Sequence, residues 1–255
     1  MIKKHINGTV ATIELASPQT RNALGPEMLK SIAEAMKELN GLSTIRVIVI
    51  AAEGKSFCAG ANLKYLQQIR ESDPMSNLYD SQFMRECFQH IYQSPKITIA
   101  RVQGDAIAGG CGLATVCDYI VAADTARFGF TEVAIGFVPA IVGVYLQRKL
   151  GENRARHMLL RAHLMSAAEA REEGLVYKVV KSDDLDDTVN KLSVELSKHP
   201  SSSIELTKKL LVHINEMDVN SALDYATTLN AFSRQTEAFR SGIDSMISRI
   251  SGDKK

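Results

Sequence analysis

Ile97-Thr98-Ile99-Ala100-Arg101-Val102 leads into Gly104-Asp105-Ala106-Ile107-Ala108-Gly109-Gly110-Cys111-Gly112-Leu113, and that segment leads into Tyr119-Ile120-Val121-Ala122-Ala123. The two flanking runs are apolar and rich in β-branched residues, which predicts buried strands, and the glycine-rich segment between them predicts a loop that opens a short helix. The same alternation extends toward the N-terminus. Arg46-Val47-Ile48-Val49-Ile50-Ala51-Ala52 reads as another buried strand, followed by a loop over Glu53 to Ala61 that feeds a second helix. Before it come a strand (Thr9 to Leu15), a loop (Ser17 to Asn22) and an amphipathic helix from about Pro26 to Asn40, with proline in its first turn and Gly41 after its end. A further helical stretch near Asn77 to Tyr92 stops before Pro95. Strands alternating with helices predict a layered α/β core whose loops deliver function at the strand ends. From about Ser201 the pattern is helical without a good strand, after a break at Pro200-Ser201-Ser202-Ser203. Residues 1–200 are therefore expected to form the core and residues 201–255 a small helical region.

The chain has 255 residues, 45% hydrophobic and 23% charged, which is ordinary globular composition. Thirty basic against twenty-nine acidic residues leave a formal charge of +1, so no global field attracts nucleic acid or an anionic membrane, and any anion must be bound locally. The first residues lack the apolar stretch of a signal peptide and no run is long and apolar enough to span a bilayer, so a cytoplasmic location is expected. Cys58, Cys87, Cys111 and Cys117 stand at no metal-knuckle spacing, and the histidines form no metal-binding pair. The expectation is no metal and reduced, buried thiols.

Two loops carry the candidate chemistry. Ser56-Phe57-Cys58-Ala59-Gly60-Ala61-Asn62-Leu63 and the Gly104–Leu113 segment both place small residues where a loop turns into a helix, so backbone N–H groups could face an anion, helped in the second by the helix's positive end. Two such loops meeting at one oxygen would make an oxyanion hole; the alternative is that the glycines only permit tight turns. Neither loop matches a nucleotide-binding fingerprint. Between Arg127 and Arg148 the only charged residue is Glu132, within Phe128-Gly129-Phe130-Thr131-Glu132-Val133-Ala134-Ile135-Gly136-Phe137-Val138-Pro139. A carboxylate among apolar neighbours is desolvated and suited to exchanging protons near neutrality, unless it merely caps a helix or pairs with an arginine.

In order and spacing these pieces resemble the crotonase, or enoyl-CoA hydratase/isomerase, superfamily over nearly the whole chain. Arg21-Asn22-Ala23-Leu24 is similar to its early coenzyme A segment, Phe57 to Leu63 to its first oxyanion loop, and Gly104 to Asp118, Phe128-Gly129 to Glu132 and Gly136-Phe137-Val138-Pro139 to its central signature. The resemblance implies a spiral of ββα units with a helical C-terminal region used to form trimers, which can pair into hexamers. It implies that the N–H groups of Ala61 and Gly109 hold the thioester oxygen and that Glu132 transfers protons. Ala23, Ala59, Lys64, Gly110, Gly112 and Pro139 are implied to line the acyl-CoA site. No separate cofactor is implied, since coenzyme A arrives with the substrate.

The sequence also departs from the family pattern. Hydratases of the best-known type carry a second glutamate where this chain has Gly112, and Asn62 replaces the usual aspartate after the first donor. A single glutamate suffices for a Δ3,Δ2-enoyl-CoA isomerase, yet the surrounding residues resemble a bacterial branch assigned as methylglutaconyl-CoA-type hydratases that also bear glycine there. The expected activity is hydration of an α,β-unsaturated acyl-CoA in fatty acid or branched-chain acid metabolism. Isomerase, acyl-CoA decarboxylase and an inactive binding subunit stand as alternatives. Tyr65 and Tyr145 offer hydroxyl groups that could assist or simply pack.

Overall fold

The expected first strand forms as Val10–Leu15 (β2), but a strand precedes it at Ile2–Asn7 (β1). The two pair antiparallel from Ile2 against Leu15 to Asn7 against Val10, through a two-residue turn at Gly8-Thr9 in which Gly8 takes φ +59°. Such a turn needs the left-handed backbone that glycine adopts without penalty. β1 is an edge strand and is exposed along most of its length, its lysines keeping the edge from templating another chain. The helix α1 (Pro26–Gly41) follows, burying Met28, Leu29, Ile32, Met36 and Leu39 along one stripe. Next comes β3 (Val47–Ala52), buried at every position, as a strand covered on both faces must be.

The remaining elements of this part are α2 (Leu63–Arg70), α3 (Pro74–Tyr92), β4 (Ile97–Val102), β5 (Ala106–Ile107), α4 (Gly109–Thr115), β6 (Tyr119–Ala123), β7 (Arg127–Gly129), α5 (Ala140–Leu150), α6 (Glu152–Arg161), β8 (Met165–Ser166), α7 (Ala167–Glu172), β9 (Lys178–Val180) and α8 (Leu185–Ser197). A six-stranded sheet runs β1-β2-β3-β4-β6-β9, parallel throughout after the first pair. A small sheet, β5-β7-β8, is extended by single parallel bridges between Cys58 and Ala106 and between Leu24 and Ala61. The chain thus repeats one cycle: a strand in the large sheet, a short extended segment in the small one, then a helix. β2, Leu24 and α1 make one turn; β3, Cys58–Ala61 and α2 the next; β4, β5 and α4 the third; β6 and β7, leading to α5, the fourth. This is the ββα spiral that the resemblance implies.

The computed structural model describes residues 1–252, and the chain divides into two compact units, Met1–Ser197 and Lys198–Lys255. The second consists of α9 (Ser201–His213), α10 (Val219–Ser233) and α11 (Glu237–Gly252), with a single 3-10 turn at Ile214–Glu216. Residues 253–255 of the expected C-terminal region lie outside the described residues. No described residue of this unit is buried, and Leu211, Val219, Leu223, Phe232, Met246 and Ile247 are exposed. Among the described residues, no helix is long and apolar enough to cross a membrane.

Candidate active site

The early segment around Ala23, both glycine loops and β7 are tied into one backbone ladder. Ala59 N–H donates to Arg21 O, Leu24 N–H to Gly60 O and Asn62 N–H to Leu24 O. On the other side of the same loop, Cys58 N–H donates to Asp105 O and Ile107 N–H to Cys58 O, and Ala108 N–H continues the ladder to Gly129 O at 2.7 Å. The segment around Ala23, both glycine loops and the strand that leads to Glu132 are consequently held by consecutive rungs, so none can shift without breaking buried backbone bonds. Asn22 locks the near end: it is fully buried, its Nδ2 donates to Glu53 O and Ser56 O, and its Oδ1 accepts from Ser17 N–H.

The ladder leaves two donors turned outward. Leu24 uses Gly60 O and Asn62 N–H, so Ala61, the residue between them, directs its own N–H away from Leu24. Ala108, the N-cap of α4, sits at φ +52°, ψ −125°, a conformation expensive for any residue with a Cβ. That geometry rotates the Ala108–Gly109 peptide so that Gly109 N–H stands at the open start of α4 instead of continuing the ladder. Among the described residues, neither the Ala61 nor the Gly109 N–H has an acceptor. The loops also touch: a Cβ placed on Gly60 would lie 2.9 Å from Ile107 O and 3.6 Å from Gly109 N, and one on Gly110 would lie 2.2 Å from Cys58 O. Glycine at these positions permits the close approach of the two loops that carry Ala61 and Gly109.

Glu132 opens a short 3-10 turn (Glu132–Ile135) immediately beyond β7, only 7% exposed. Among the described residues no arginine pairs with it, and it accepts from the first backbone N–H groups of its own turn. Burial pushes its carboxyl above the usual value, opposed in part by its own and Thr131's backbone N–H, and its Oε2 is buried with no hydrogen-bond partner. The Glu132 carboxylate lies within electrostatic reach of Cys111 on the first turn of α4 and adds slightly to the rise of that thiol's pKa, which burial dominates. Burial drives the Cys111 thiol, like that of Cys58, up to about 12, which leaves both inert as nucleophiles. The chain thus supplies a desolvated carboxylate with one unpaired oxygen and, among the described residues, two backbone donors without acceptors, a combination able to move protons on a compound whose oxygen gathers negative charge.

The other predicted residues fall around this centre. Ala23 is buried beside Leu24, Ala59 is half-buried, and Lys64 is exposed in the first turn of α2, whose N-cap Asn62 accepts from the Lys64 N–H. Asn62 therefore does the capping work open to aspartate at this position. Gly110 and Gly112 are buried in α4, and Pro139 is the N-cap of α5. Tyr145 packs its half-buried ring on Tyr92, centroids 4.9 Å apart, and Tyr65 gives its hydroxyl to Asp80. The sequence reading does not single out Ala108, whose strain aims the second donor, because nothing in an alanine's surroundings announces a positive φ. Among the described residues, no group of three or more His, Cys, Asp or Glu side chains is placed to hold a metal ion.

Compared with known proteins, the sequence model of the enoyl-CoA hydratase/isomerase family matches residues 5–250. A Thermus thermophilus protein assigned as an enoyl-CoA hydratase is 38% identical over 236 residues, 92% of this chain and 93% of the relative. The crotonyl-CoA hydratase of Syntrophomonas wolfei is 31% identical over 84% of this chain and 82% of its own. The crystal structure of a Mycobacterium smegmatis enoyl-CoA hydratase superposes with a TM-score of 0.92 at 30% identity, covering 97% of this chain and 96% of that one.

Proposed function

This chain belongs to the enoyl-CoA hydratase/isomerase family, and from that premise we propose that it adds water across the double bond of an α,β-unsaturated acyl-CoA through a thioester enolate. The observation that carries the reading is the backbone ladder that ties the loops bearing the Ala61 and Gly109 N–H groups to the strand that leads to the buried Glu132. In this reading the thioester oxygen lies between the two N–H donors. As water attacks the β-carbon, the π electrons move toward that oxygen, and preorganised donors stabilise the charge there; loss of one comparable donor costs on the order of 100- to 1000-fold in rate. Glu132 Oε2 takes the proton from the water and returns it to the α-carbon, a role suited to a carboxyl whose pKa is raised toward the working pH.

Ala23 and the backbone around Ala59 contact coenzyme A in this reading, with Lys64 near its phosphates, and Gly110, Gly112 and Pro139 stand around the acyl group. The acyl-CoA brings its own coenzyme A and no further cofactor is required. The buried, reduced cysteines suit a cytoplasmic enzyme. The uncovered apolar residues of the helical unit suit assembly into a trimer or a pair of trimers. One observation favours a second reading: with Gly112 in place of an acid, Glu132 alone can also shift a proton along a 3-enoyl-CoA, which is isomerisation.

Incubation with crotonyl-CoA while following the enone absorbance tests the assignment. Hydration is expected to make the absorbance decay. Growth from a 3-enoyl-CoA with no decay from crotonyl-CoA would establish the isomerase reading, and no change with either would overturn both.

A further inference from the structure

Gly112 leaves no vacancy where a second acid would stand. It lies one turn into α4, where α3 and α5 pack against that helix. A Cβ built on it would lie 2.1 Å from Val142 Cγ1, 3.0 Å from Val142 Cβ and 3.2 Å from the Phe88 ring. Val142 is 4% exposed and Phe88 fully buried. A flexible side chain could swing aside, but valine is β-branched with a restricted χ1, and its Cβ, fixed to the helix, is itself at the contact limit.

We propose that Val142 makes this a one-carboxylate site: its branched side chain, backed by Phe88, fills the space beside Gly112, so that no second acid can stand there on α4. The proposal rests on the hydratase reading and adds a consequence to it. With the space filled by carbon, neither a carboxylate nor a water held by one can serve from α4, and both proton transfers pass through Glu132. The oxygen of water bonds to the β-carbon as its proton passes to Glu132 Oε2 and the double-bond pair becomes the enolate. The same proton-bearing carboxyl then protonates the α-carbon, the thioester carbonyl re-forms, and Glu132 is again ionised, with one water consumed.

The packing half is tested by a melting cycle on the full chain with Gly112→Ala, Val142→Ala and the pair. Gly112→Ala alone is expected to lower the melting temperature by roughly 3–10 °C, and to lower it much less in the Val142→Ala background, where the conflicting methyl is gone. An equal loss in both backgrounds, or no loss at all, would overturn the role of Val142. The chemical half is read from kcat/KM against pH: one ionisation on the acid limb of the parent enzyme, absent from the residual activity of Glu132→Gln. An acid-limb ionisation that survives in Glu132→Gln would show another acid at work and overturn the one-carboxylate site. Failure of the hydratase reading is distinguishable, because the parent protein would then leave crotonyl-CoA unchanged while the melting cycle still reports on the packing.

Discussion

Glu132 is held where a carboxylate is uncomfortable, and that discomfort has two measurable signs. Burial raises its folded-state pKa above the unfolded value, so the proton is held more tightly in the folded chain. The stability this gives is full below the unfolded pKa and is lost as pH rises through the folded one; at neutral pH the ionised group is a liability. Glu132→Gln removes that liability and should raise stability by roughly 0.5–2 kcal/mol, measured by denaturant melts at pH 7, while lowering kcat by about 100- to 10,000-fold. A variant that lost stability, or kept parental turnover, would contradict the assignment of the base. If Glu132 is the base it acts ionised, and kcat/KM of the parent should fall on acidification through a pKa above the ordinary carboxylate range of about 4.3. At this scale the sequence was informative about Glu132, a lone charge in an apolar stretch, and silent about Ala108 and Val142. One is an alanine whose strain is set by bonds to distant residues, and the other is a valine among valines whose contact to Gly112 exists only after three helices pack.

Between elements, glycines mark two opposite situations, and the same substitution should separate them. Gly110 faces the Cys58–Ala61 segment so closely that an added Cβ would meet Cys58 O at 2.2 Å and its carbonyl carbon at 2.7 Å. Gly110→Ala must push the two loops apart, costing roughly 1–3 kcal/mol and, by separating Ala61 from Gly109, most of the activity. Gly143, inside α5, has only Leu159 Cδ1 nearby, at 3.4 Å, an ordinary contact from a flexible side chain. Gly143→Ala should therefore gain about 0.5–1 kcal/mol from helix propensity. Thermal melts of the two variants should move in opposite directions; a shared direction would mean that the loop contact does not constrain the fold. Long elements with a clear period were legible: the runs at Val47–Ala52, Ile97–Val102 and Tyr119–Ala123 form strands where their apolar continuity places them. β1 was not, because Lys3, Lys4 and His5 give an edge strand no apolar signature. Nor were β5, β7 and β8, which are two or three residues long and defined by pairing across long stretches of sequence instead of by any local pattern.

At the scale of the whole molecule, the helical unit poses a physical problem that its own sequence does not solve. Helices α9 to α11 bury no described residue, yet they carry Leu211, Val219, Leu223, Phe232, Met246, Ile247 and Ile250 at exposures from 54% to 74%. Helices of this length owe most of their stability to packing an apolar face, and each large side chain moved from water into an interface contributes about 1.5–3 kcal/mol. Periodicity made the helices readable in the sequence, but the cover for their apolar side chains was not, since a single chain's pattern does not distinguish a face buried within that chain from one buried against another copy. If other copies supply that cover, light scattering of the parent protein should give three or six times the chain mass at micromolar concentration. Phe232→Asp and Ile247→Asp, each placing a charge where an apolar contact is needed, should shift that mass downward and lower the melting temperature. A parent protein that runs at the mass of one chain and still melts cooperatively would show that these side chains need no partner, and the trimer would have to be given up while the chemistry at Glu132 stood.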